Sequence, residues 1–255
     1  PGGYVMTYHP ETGQGACLGI PAPGEAITDV IADEARGVLY VTTMGESRWF
    51  RYEIRTKTYR ALGPRVLSFA GTLLDARGRA HVLTTDFQLA TYDPKTDRVT
   101  TRDILVDGRR WQPASNIPIW VMAQDRRTAY LVMMADPTLL RFDLLAPGPA
   151  VRAANLGKMI DGTAPDSRAG LTIGADGNVY ALFRVNNETG FGTGYLHYLL
   201  RYTPKTQTHE RLGVLAVTNP DFFSWKAPDG KPAPFSHGYH SLPDGTLTPY
   251  WNHMS

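Results

Sequence analysis

The segment His237-Gly238-Tyr239-His240 is the densest group of proton-carrying side chains in the sequence. Imidazole titrates near neutral pH and suits general acid–base catalysis, while Gly238 lets the backbone approach a ligand closely. In a strand, His237 and Tyr239 share one face and His240 lies on the other. His253, one strand later, could supply a further group. Alternatively, these histidines are structural and bond to backbone carbonyls.

Five other residues have side chains suited to binding an acidic sugar. Arg168 could hold a carboxylate in a bidentate fork, and Asp29 could orient Arg168 or a histidine. Arg184 interrupts an apolar strand and could point into the same site. Trp120 and Trp251 could stack under sugar rings. The alternatives are local ion pairs for the charged residues and core packing for the tryptophans.

Metal binding is less well supported by the spacing of possible ligands. His237 and His240 are not the i, i+4 pair of a zinc protease helix, although with His253 they could converge on one ion. The sequence contains no Gly-x-Ser-x-Gly motif. We therefore expect no cofactor, with an axial metal ion as the alternative.

Two repeated phrases predict the elements that position these residues. An aromatic residue followed by a polar turn starts at Tyr8, Tyr52, Tyr92, Phe142 and Tyr202. An aspartate-led turn before a β-rich segment starts at Asp33, Asp75, Asp125, Asp176 and Asp244. Each turn predicts a hairpin, so one period contains four antiparallel strands. Copies of the first phrase start 44, 40, 50 and 60 residues apart, close to the length of one propeller blade.

The sequence thus predicts an all-β protein, a β-propeller of four-stranded antiparallel blades. A β-sandwich or a solenoid of hairpins is the alternative, but a sandwich does not need a repeated phrase. We expect one domain over residues 1–255, with half-blades at 1–20 and 235–255 and blades at about 27–65, 68–107, 117–159 and 168–216. Pairing of the half-blades would give five blades. Otherwise the chain, which lacks an initiator Met, is a fragment of a six- or seven-bladed ring.

Composition limits the classes of partner. The chain has 26 basic and 24 acidic residues without a marked Lys/Arg run, which disfavours nucleic acid, and no apolar stretch has the length of a membrane span. The single cysteine, Cys17, excludes an intrachain disulfide and is interpreted as a packing residue. An extracellular or periplasmic location is expected, although a leader is not visible.

Residues 24–29, 168–171 and 237–245 resemble propellers of the gluconolactonase, streptogramin-lyase and NHL-like type, and also propeller polysaccharide lyases. The resemblance implies the fold over nearly the whole chain. It says little about function, because this architecture hosts lyases, hydrolases, lactonases and binding proteins.

In a propeller, the first strand of each blade lines a central channel. The starts of these strands are predicted at residues 28–29, 68–69, 119–120, 167–168 and 237–240. We therefore expect a lyase that cleaves a uronic-acid-containing glycan by β-elimination. Arg168 would neutralise the uronate, His237 or His240 would remove the adjacent proton, and Tyr239 or His253 would protonate the leaving oxygen.

Two other functions stay open at this point. One is a non-catalytic propeller that binds a glycan or a protein partner through the same opening. The other is a metal-dependent lactonase or hydrolase.

Overall fold

The computed structural model describes residues 2–134, 136–160, 170–186, 195–214, 236–241 and 247–250. For residues 184, 186, 195, 196, 214, 236–241 and 247–250 it describes the backbone alone. Strands dominate these ranges, and the one helix within them is a three-residue 3-10 turn, Glu34–Arg36. None of the described segments forms a helix with the length and apolar character needed to cross a bilayer.

The strands fall into successive antiparallel sets of four, as predicted for propeller blades. A hairpin comes first, β1 (Val5–His9) and β2 (Gln14–Gly19). The first blade is β3 (Ala26–Asp33), β4 (Val38–Met44), β5 (Trp49–Glu53) and β6 (Thr58–Ala61). The second is β7 (Leu73–Leu74), β8 (Ala80–Leu83), β9 (Gln88–Asp93) and β10 (Arg98–Val106), followed by β11 (Arg109–Arg110), which pairs with β10.

The later strands repeat the pattern. The third blade is β12 (Pro118–Met122), β13 (Thr128–Met133), β14 (Asp136–Asp143) and β15 (Ala150–Lys158). The fourth is β16 (Gly170–Ile173), β17 (Val179–Asn186), β18 (Tyr195–Thr203) and β19 (Thr208–Val214), and β20 (Ser236–Ser241) and β21 (Leu247–Tyr250) follow. The backbone of β20 pairs with β18. The predicted pairing of the terminal half-blades stays a prediction.

One strand pair departs from the antiparallel rule. Residues Asp103–Val106 of β10 pair in parallel with Ala150–Ala153 of β15, which joins the second and third blades into one nine-stranded sheet. The strands at the two ends of that sheet's order, β7 and β12, lie side by side.

The chain divides into two compact units, residues 1–131 with 140–155, and residues 132–139 with 156–255. In the first unit, β4 is buried on both faces from Val38 to Thr43. Alternate side chains of a strand point to opposite faces, so Val38 and Tyr40 pack against the second blade while Leu39 and Val41 pack towards the β1–β2 hairpin. A blade packed on both faces explains why its central strand is a continuous apolar run.

The repeated phrases have structural explanations. The aromatic residue that opens the first phrase is fully or almost fully buried at Tyr52, Tyr92, Phe142 and Tyr202. The aspartate of the second phrase accepts a hydrogen bond from a backbone N–H two residues later at Asp75, Asp125 and Asp176, which is how aspartate stabilises a turn.

Candidate functional site

Of the predicted site residues, Asp29 and Trp120 are the two whose side chains the structure describes. Arg184 on β17 and His237, Tyr239 and His240 on β20 are described by their backbone alone. Arg168, Trp251 and His253 lie outside the described residues. The predicted grouping of these side chains therefore stays a prediction, and the site is built here from Asp29.

A β-bulge positions Asp29. On β3, Ile27 lies opposite Thr43 and Asp29 lies opposite Thr42, so Thr28 is an extra residue in the ladder. Its hydroxyl lies 3.0 Å from the Thr42 hydroxyl. Bulges re-aim side chains and are common beside active sites. Here the Asp29 carboxylate contacts the start of the next blade, where its Oδ2 accepts the Thr72 N–H at 2.9 Å.

The chain requires glycine beside this carboxylate. Gly71 has φ +67°, and a Cβ there would lie 3.2 Å from the Cγ of Asp29. Both the backbone conformation and the close approach disfavour any side chain. Thr72 is buried, and its hydroxyl has no hydrogen-bond partner among the described residues. We call Asp29, Gly71 and Thr72 the Asp29 site.

The electrostatics of Asp29 follow from its partial burial without a cationic partner among the described residues. It is half-buried, and within the described ranges no arginine or lysine pairs with it. Burial raises the pKa of the Asp29 carboxyl, and this outweighs the N–H groups of Thr72 and Val30, which act in the opposite direction. A carboxylate that is partly desolvated and lacks a cation can accept hydroxyl hydrogen bonds or remove a proton.

Trp120 lies on β12, the neighbour of β7, and its side chain is 8% exposed. Its indole Nε1 is buried without a hydrogen-bond partner among the described residues. The stacking role predicted for Trp120 stays a prediction.

A second carboxylate fastens the start of β3. Glu25 is buried and accepts hydrogen bonds from the Thr43 hydroxyl at 2.6 Å and from Nε of Arg48 at 2.5 Å. Burial alone would raise the pKa of Glu25, but these donors outweigh it and hold the pKa below its usual range. Unlike Asp29, Glu25 is fully engaged within the protein, which indicates a structural role.

A Thr–His–Asp arrangement in the second blade resembles a catalytic triad in its contacts. His81 Nε2 donates to Asp75 Oδ2 at 2.9 Å, and His81 Nδ1 accepts the Thr91 hydroxyl at 2.9 Å. Asp75 and His81 are both 0% exposed, and Arg79 Nε also donates to Asp75 at 2.7 Å. A substrate cannot reach these atoms, so the cluster stabilises the fold. The sequence predicts Asp75 as a turn residue, but it does not predict the contacts of His81 with Asp75 and Thr91.

The protonation states of this cluster follow from its contacts. Burial would raise the pKa of Asp75, but the hydrogen bonds from His81 and Arg79 outweigh it and hold that pKa well below its usual range. Burial lowers the pKa of His81. Asp75 is therefore charged and His81 neutral near pH 7.

Polar side chains also line a groove of about 480 Å³ on the outer strands of the first two blades. Arg51 donates to Glu53 at 2.7 Å, and Arg60 Nη1 and the Tyr92 hydroxyl each donate to Asp97 at 2.7 Å. These contacts make the groove an ion-pair network. Across the described residues, no three His, Cys, Asp or Glu side chains lie close enough to hold a metal ion.

No protein-family model and no curated protein sequence matches the chain. Solved structures do resemble it. Hydrazine synthase of Kuenenia stuttgartiensis has a TM-score of 0.59 at 12% identity, over 85% of this chain and 61% of that chain. The periplasmic gluconolactonase of Pseudomonas aeruginosa has a TM-score of 0.54 at 13% identity, over 98% and 76%. A protein from Lactobacillus plantarum has a TM-score of 0.55 at 14% identity, over 96% and 76%.

The fold is a β-propeller. The predicted fold class is confirmed, and the predicted resemblance to propellers of the gluconolactonase type agrees with one of these structures. The resemblance to polysaccharide lyases stays a prediction. The chain spans about three fifths of the hydrazine synthase chain, and identities this low indicate the fold alone.

Proposed function

We propose that this propeller binds a polyhydroxylated ligand, a sugar or sugar derivative, at the Asp29 site. The observation that carries the proposal is the half-buried Asp29 carboxylate, which has no cationic partner among the described residues. Its bulge and the Thr72 N–H hold it in place before any ligand arrives. A carboxylate accepts hydroxyl hydrogen bonds that are shorter and stronger than those between neutral groups, and a sugar supplies such hydroxyls in adjacent pairs.

Calorimetric titration with a panel of methyl pyranosides tests the proposal. Asp29→Asn keeps the side-chain size and the acceptor for Thr72 but removes the charge, so affinity should fall about tenfold or more. Asp86→Asn makes the same change at an exposed aspartate of the same unit and should bind like the wild type. Unchanged affinity in Asp29→Asn, or no binding by the wild type, would contradict the proposal.

Lactone hydrolysis is a second candidate, favoured by the raised pKa of Asp29 and by the likeness to a gluconolactonase. Asp29 would take a proton from water as the water oxygen bonds to the lactone carbonyl carbon. The ring C–O bond would then break, and the proton would pass to the departing oxygen. Acid release from glucono-δ-lactone measures this reaction, and Asp29→Asn should reduce it to the uncatalysed rate.

β-Elimination of a uronate glycan, predicted from Arg168, His237, Tyr239, His240 and His253, is retained as a proposal on their residue types. Incubation with acidic polysaccharides, followed by the ultraviolet absorbance of an unsaturated product, tests it. Product formation that survives the double variant His237→Ala with His240→Ala would show that neither histidine is the base.

A further inference from the structure

Phe69 occupies a turn position that normally requires glycine. The turn 67–70 connects the first and second blades and is closed by a hydrogen bond from Ala70 N–H to the Leu67 carbonyl, at 3.3 Å. Phe69 is its third residue and has φ +70°, whereas Ser68 does not have a positive φ. This is the pattern of a type II turn, in which glycine or asparagine is preferred at the third position. A bulky residue there is strained.

Packing offsets this strain only in part. Phe69 is 50% exposed, so about half of its surface stays in water. Phe87 provides a comparison within the same unit. It also has a positive φ, 57°, but its ring packs edge-on against Trp111 with centroids 5.9 Å apart. Among the described residues, no ring contact of this kind involves Phe69.

The location of Phe69 indicates what the ring is for. Phe69 lies two residues before Gly71, which packs against the Asp29 carboxylate. It lies three residues before Thr72, whose N–H donates to that carboxylate. An exposed aromatic ring is thus held by a strained turn on the segment that completes the Asp29 site. Strained residues of this kind cluster at ligand-binding positions.

We propose that Phe69 is a stacking platform that makes the Asp29 site selective for pyranose rings. This inference rests on the proposed sugar-binding function. One face of a pyranose carries axial C–H groups and is apolar, and an aromatic ring can cover that face. The Asp29 carboxylate would accept hydroxyls at the edge of the same ring. An acyclic polyol offers the hydroxyls without the apolar face, so it would engage Asp29 but gain little from Phe69.

The test compares methyl pyranosides with acyclic alditols, using calorimetry on the wild type, Phe69→Gly, Phe69→Trp and Asp29→Asn. Phe69→Gly should lower affinity for the pyranosides about tenfold and leave affinity for alditols unchanged. Phe69→Trp should retain the preference for pyranosides. Asp29→Asn should weaken both kinds of ligand.

Thermal unfolding separates binding from structure. Because glycine suits the backbone at residue 69, Phe69→Gly should keep or raise the Tm while it loses affinity. Phe87→Gly relieves a similar backbone conformation but removes the Trp111 contact, so its Tm should fall.

Each outcome bears on one claim. Equal pyranoside affinity in wild type and Phe69→Gly, with Asp29→Asn impaired, would overturn the role of Phe69 and leave the proposed function intact. A fall in Tm of Phe69→Gly that matches Phe87→Gly would show that Phe69 is structural. If no pyranoside binds the wild type, the proposed function fails and this inference fails with it.

Discussion

Replacing Asp75 with asparagine removes a buried charge without changing the size of the side chain. The Asp75 carboxylate accepts hydrogen bonds from Arg77 N at 2.8 Å, Arg79 N at 3.0 Å, Arg79 Nε at 2.7 Å and His81 Nε2 at 2.9 Å. Asparagine has one acceptor oxygen, and its amide group would present hydrogens to donors. At least one of Arg79 and His81 would then lose its partner.

The magnitude follows from burial. Asp75 and His81 are 0% exposed, and removing one member of a buried pair typically costs about 3–5 kcal/mol. The lower figure applies here, because Arg79 is partly exposed and water can solvate it in part. At about 2–4 °C per kcal/mol for a domain of this size, 3 kcal/mol corresponds to a fall in Tm of roughly 6–12 °C.

Asp97→Asn is the matched control. Asp97 also pairs with an arginine, Arg60, and its pKa is also held low, but it is 58% exposed. Exposed ion pairs contribute little, so the Tm should stay close to that of the wild type. Differential scanning calorimetry at pH 7 measures both variants. Equal losses in the two variants, or no loss in Asp75→Asn, would refute the argument from burial.

Three further predictions concern pH. Because the pKa of His81 is lowered, the stability that its neutral form contributes is present above about pH 6.5 and is lost as pH falls towards the folded-state pKa. His81→Gln should therefore flatten the dependence of Tm on pH below 6.5. The pKa of Asp29 is raised, so the stability that its neutral form contributes is lost as pH rises through that pKa. Asp29→Asn should therefore have a Tm equal to or higher than that of the wild type at pH 7, and no higher than that of the wild type near pH 3. The pKa of Glu25 is lowered, so Glu25→Gln should lower the Tm at pH 7 by a few degrees, with a difference that shrinks below about pH 4. Thermal melts in matched buffers check all three, and a constant difference across pH would contradict each.

The repeated features of the fold could be predicted because each is encoded locally. The buried aromatic at Tyr52, Tyr92 and Tyr202 and the turn aspartates at Asp75 and Asp176 recur at regular positions. Their residue types carry the physical role, which is core packing in one case and turn formation in the other.

The candidate site could not be assembled in the same way. Asp29 was identified from its position at the start of a strand, but its partner Thr72 lies 43 residues away, and the bulge at Thr28 leaves no sequence signal. Phe69 fell within a predicted strand start, yet its positive φ depends on the connection between two blades. A phenylalanine after serine gives no local indication of a type II turn, because the glycine that would signal one is missing from the third position.

The contacts of His81 illustrate the same limit. Asp75, His81 and Thr91 come from a turn and two strands of one blade, and their approach depends on the register of β8 against β9. In that register His81 lies directly opposite Thr91. The alternation of the strand predicts which face His81 occupies, but not that a carboxylate lies on the same face.

The parallel pairing of β10 with β15 has a consequence for how the protein opens. An outermost blade strand usually presents a free row of amides to solvent, yet Asp103 pairs with both β9 and β15, and Leu105 and Val106 pair with both β11 and β15. Their amides should therefore resist hydrogen–deuterium exchange until both ladders separate. Local opening of this part of β10 would therefore require the second and third blades to separate together. Strands of other molecules could not pair with this edge of β10, because β15 already does.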